Sequence, residues 1–278
     1  MVSRHLLITC VCVLAWSGTA AAQTPAQQAA LAKARQAYNT GLFDQAIAAA
    51  AEARKAPALA PSAALVLGRA HLERFRATSA AEDLTAAHDA LRRVDPALLS
   101  ARDQRDLTIG LGLTVFFEGR PGAASELLSA ALAASIDGTE PGAREKLFDW
   151  WATAVDRAAQ LAPDAGRLSD YQRMLLRCEA ELARDPMSSV ASYWLAAAAR
   201  GAGDLDRAWD AAIAAWIRLR TPPPLGNARD DRAQARLALD MLMTSAIIPE
   251  RARSIDPRAT QPLIAAMQAE WAEIKTRW

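Results

Sequence analysis

The sequence predicts an all-α fold, a solenoid of antiparallel helix pairs closed by a C-terminal capping pair. Three observations predict it. A helix–glycine–helix passage occurs three times, at Tyr38 to Ala46 through Gly41, at Glu118 to Ala124 through Gly119, and at Ala202 to Ala208 through Gly203. Small residues recur where two helices would cross, at Ala46, Ala50 and Ala53 and again at Gly68 and Gly112. Alanine, a strong helix former, is abundant, and no run alternates apolar and polar residues as a half-buried strand does. A helical hairpin repeated along a chain is one unit of a stacked array.

The first residues stand apart. Arg4 precedes an apolar run from Leu6 to Trp16, and the small residues that follow end in Ala20, Ala21 and Ala22. This is the pattern of a secretory leader, residues 1–22, cleaved after Ala22, and the run is too short to span a bilayer. Mature residues then fall into a helical repeat region, 23–220, and a capping region, 225–278.

In order along the chain, Thr24 and Pro25 open a first helix as cap and first-turn proline, and segments 25–39 and 43–55 pair. The second pair begins near Ser62 and returns over 81–93, ending at Asp95 and Pro96; Ala34 and Gly68 occupy equivalent crossing positions. The third spans 104–134, with Gly112 at its crossing and Ala124, Leu128, Ala131 and Leu132 on the return helix. The fourth runs from 143 to 162 and, past Gly166, continues with Leu168, Tyr171, Leu175, Cys178 and Leu182 as a buried stripe. The fifth uses Trp194, Ala199, Ala208, Ala212 and Trp216 before the Pro222–Pro224 break, and the last pair is read as 229–247 and 260–277.

These residues resemble the tetratricopeptide repeat. The family's small positions are similar to Gly68, Gly112, Ala46, Ala124 and Ala208, its turn positions to Gly41, Gly119 and Gly203, and its closing proline to Pro96 and Pro186. The second hairpin departs from the pattern around Arg76 to Ser79, the fourth departs in length, and tryptophan is absent from the early aromatic position. The resemblance implies a right-handed superhelix whose first helices line a concave face that binds a protein or peptide. By register, that face holds Arg35, Tyr38, Arg69, Phe116, Tyr193 and Arg200, aromatics and arginines of the kind that dominate binding energy.

Chemistry is not indicated. Without the leader, the charge balance is 31 basic to 31 acidic residues (32 less Arg4, against 31), unlike a nucleic-acid-binding chain. Of the cysteines only Cys178 remains, so an internal disulfide is excluded, and His71 and His88 lie without a ligand cluster at metal spacing. No nucleotide loop or nucleophile elbow is present, so neither cofactor nor metal is expected. The expectation is an exported, non-enzymatic scaffold or adaptor of the periplasm or medium, with no transmembrane segment in the mature chain. A glycan-binding helical protein, expected to cluster tryptophans in the groove, and the helical arm of an envelope enzyme system are the alternatives.

Overall fold

The computed structural model describes residues 25–134, 142–220 and 228–278. The leader, its cleavage site, the Thr24 cap and the three prolines at 222–224 lie outside them. Among the described residues every regular element is helical, and twelve helices pack as adjacent pairs. They are α1 (Pro25–Asn39), α2 (Phe43–Ala53), α3 (Ala60–Thr78), α4 (Ala81–Leu91), α5 (Ala101–Phe117) and α6 (Pro121–Ala133). After them come α7 (Ala143–Leu161), α8 (Asp164–Arg184), α9 (Ser189–Gly201) and α10 (Leu205–Arg220). The eleventh, α11, is one rod made of Ala228–Leu242, a π-helical turn Met243–Ile247, and Ile248–Ile255; α12 is Thr260–Arg277.

Three hairpin turns are chemically identical. Gly41, Gly119 and Gly203 sit at φ 76°, 81° and 81°, each just past a helix end. The amide of each donates three residues back, to Tyr38, Phe116 and Arg200, and the next amide donates five back, to Ala37, Val115 and Ala199. That double closure satisfies carbonyls the helix leaves open and reverses the chain within two residues. The second hairpin reaches the same left-handed conformation without glycine, at Ser79 (φ 58°), which explains why its turn escaped the glycine pattern.

Crossings follow from the small residues. A Cβ on Gly68 would lie 2.5 Å from Leu91 Cγ, and one on Gly112 would lie 3.1 Å from Leu128. Gly201, not singled out by the sequence, is a third such site, where a Cβ would enter the Tyr171 ring. Odd-numbered helices pack on one another in succession from α1 to α11, and no two even-numbered helices do so to a comparable extent. The odd helices therefore form one continuous packed layer.

The core is uneven along the array. A continuous cluster from α6 to α12 includes Phe148, Trp151, Trp216 and Trp271, whereas α1, α2 and the start of α3 are joined mainly by alanines, with Leu31 and Val66. Two sequence readings are corrected here. Leu168 does not belong to the buried stripe, being 43% exposed, and Met174 fills the interior face of α8 instead. The eleventh helix does not end at 247; the π turn carries it past Pro249 to Ile255.

Candidate functional face

The odd-helix layer carries three neighbourhoods, and each sequence-predicted residue falls in one of them. At the N-terminal end α1 presents Arg35 and Tyr38 one turn apart, and α3 and α5 bring their partners. Arg35 Nη2 donates to Asp103 Oδ2 at 2.9 Å, and Arg69 Nη1 donates to Asp106 Oδ2 at 2.8 Å. The Arg69 guanidinium also lies 4.7 Å from the Tyr38 ring centre, a cation–π contact that, with the Asp106 pair, ties α1, α3 and α5 together. Burial raises the Tyr38 hydroxyl above its ordinary pKa.

In the middle, Phe116 belongs to an aromatic cluster. Phe75, Phe116, Phe117 and Trp150 meet edge to face with ring centres 5.1–5.8 Å apart, and Arg76 lies 4.9 Å from the Trp150 ring centre. Such geometry adds about 0.5–1.5 kcal/mol per pair beyond the area buried. Arg76 also pairs with Glu73 at 2.6 Å. Of the neighbouring tryptophans, Trp151 is core and Trp150 is half-buried, as residues about 100° apart on a helix require.

Toward the C-terminal end, α9 supplies Tyr193 and Arg200. Arg200 is held by both oxygens of Glu250, at 2.9 and 2.6 Å. Tyr193 packs edge-on against Trp194, whose indole donates to Asp149 at 2.7 Å. Asp156 accepts from the Tyr171 hydroxyl at 2.8 Å and from the Gln160 amide at 2.7 Å. Neighbouring Glu145 caps α9, accepting from Ser188, Ser189 and the Val190 amide. Burial raises the Asp149 carboxyl above the ordinary range, although the residue still reaches solvent. Sequence reasoning missed Asp149 and Asp156; their seven-residue spacing, two turns on one face of α7, was the available signal.

His71 and Cys178 are engaged within the fold. His71 Nδ1 and Asp83 Oδ1 lie 2.7 Å apart, and Arg74 grips the same buried carboxylate. Burial pushes the fully enclosed Cys178 thiol up to about 12. Among the described residues no group of histidine, cysteine and carboxylate side chains could hold a metal, and no helix is long and apolar enough to cross a membrane. A hollow of about 340 Å³ between α6, α7 and α8 is lined by Arg144 and Arg177, both paired with Glu181. Comparison of the chain with protein-family models, curated proteins and solved structures gave no match.

Proposed function

We propose that this chain is an exported, non-enzymatic scaffold or adaptor that holds a protein or extended peptide along its odd-helix layer in the periplasm or medium. The arrangement we infer is a right-handed superhelix of tetratricopeptide type. One observation carries the reading: half-buried aromatics, Tyr38, Phe116, Trp150 and Tyr193, recur along one layer of a helical array. Half-buried rings on a rigid surface offer large contact area at low entropic cost to an extended segment. The glycan-binding alternative draws less support, because among the described residues Trp151, Trp194, Trp209, Trp216 and Trp271 are buried, Trp278 is exposed at the end of α12, and Trp150 alone lies with the groove aromatics.

The test is a pull-down from envelope extract with wild type and a Trp150→Ala, Tyr193→Ala double variant, the fold of each checked by circular dichroism. Loss of a client with the variant, by about 1–3 kcal/mol per ring in a follow-up titration, is expected. Equal recovery by both proteins transfers the binding site to another surface. The native protein should also begin at Gln23; a mature chain retaining residues before it contradicts the export reading.

A further inference from the structure

We infer that the groove between α5, α7 and α9 selects a cationic partner segment, one presenting a lysine or arginine side chain to Asp149 and Asp156. The inference rests on the peptide-binding reading above and adds the charge of the ligand. Register alone made the arginines of the odd-helix layer the binding groups. The structure gives Arg35, Arg69 and Arg200 internal partners in Asp103, Asp106 and Glu250, and it pairs neighbouring Arg76 with Glu73.

Those pairs cancel four cations against four carboxylates and leave α7's own acids over. Asp149 and Asp156 have no cation within ion-pair distance among the described residues; their hydrogen bonds come from the neutral donors Trp194, Tyr171 and Gln160. Tyr193 stands close enough to feel both negative charges. Trp150 follows Asp149 on α7, and an aromatic face beside a carboxylate is a good seat for an ammonium or guanidinium group. Partial desolvation of the Asp149 carboxyl adds to this, although the residue remains exposed, because an entering cation would relieve it. Arg76 and Arg200 reach Asp149 and Asp156 electrostatically, but each is already paired with a glutamate. The face therefore keeps a surplus of carboxylates, which an acidic segment meets as like charges, and that is how a site rejects a wrong partner.

The experiment uses N-acetylated, C-amidated pentapeptides that alternate tyrosine with lysine, glutamate or serine, titrated by calorimetry into the full mature chain. The lysine peptide should bind about tenfold tighter than the glutamate peptide, roughly 1.4 kcal/mol, and the preference should shrink on adding salt. Asp149→Asn with Asp156→Asn keeps the oxygen acceptors for Trp194 and Tyr171 and should abolish the preference; Glu52→Gln, outside the groove on α2, should leave it intact. Tighter or equal binding of the glutamate peptide overturns the charge selection while leaving a peptide groove standing. A preference surviving in the double variant overturns the site. If none of the peptides binds, the charge selection fails, and the pull-down then decides the groove reading separately.

Discussion

At the level of single residues, the array depends on positions that admit no larger side chain. Gly68 is the sharpest case, since a Cβ there meets Leu91 at 2.5 Å and the Ala87 carbonyl at 3.3 Å. Gly68→Leu should therefore cost at least about 1–3 kcal/mol through overpacking and lower the melting temperature by several degrees. An unchanged melting curve would falsify the assigned crossing. A second residue-level prediction concerns Asp83, which is 3% exposed and whose carboxyl is held below its usual range by Arg74, with His71 assisting against the opposing effect of burial. A carboxyl with a depressed folded-state pKa contributes stability that is present above its unfolded value, near 4, and lost as pH falls through the folded value. Asp83→Asn should cost about 1.5–3 kcal/mol at neutral pH, and the loss should narrow below pH 4 in paired thermal melts. A penalty equally large at pH 3 and pH 7 would show that packing rather than charge holds the group.

For individual helices and turns, legibility depended on whether the device is local. The three glycine turns were readable because a left-handed residue after a helix nearly always means glycine, and the closing hydrogen bonds lie within five residues. Ser79 does the same job invisibly. Ser79→Gly should raise stability by up to about 1 kcal/mol by removing left-handed strain, whereas Gly119→Ala should lower it by about 1–2 kcal/mol with no steric clash to blame. Chemical denaturation of the two variants checks both signs; a shift in the same direction for both contradicts the argument. The extension of α11 past Pro249 was unreadable for the opposite reason. Proline normally stops a helix, but the π turn alters the ladder just before it, and the Thr244 and Ser245 hydroxyls take up the Asp240 and Met241 carbonyls. Charge pairing across helices was likewise hidden: Arg35 and Asp103 are 68 residues apart, and nothing local ties one to the other.

Across the whole molecule, stability should be graded rather than uniform, because each hairpin packs chiefly on its neighbours. The C-terminal two-thirds share one cluster with four nearly or fully buried large rings, Phe148, Trp151, Trp216 and Trp271. Each such ring is worth at least about 1.5–3 kcal/mol by burial alone. The first hairpin instead rests on Ala34, Ala46, Ala49, Ala50 and Ala53, which bury little area apiece, with help from Arg35–Asp103 and the Arg69–Tyr38 stack. Hydrogen exchange followed by mass spectrometry should show α1 and α2 opening well before α8 to α10, through local unfolding that leaves the rest intact. Raising salt should widen the gap, because the exposed Arg35 pair is screened while the tryptophan cluster is not. Uniform protection that collapses in a single step at all twelve helices would mean the small alanine clusters couple as strongly as the large one. In that event close backbone approach, not buried ring area, is what holds the array together.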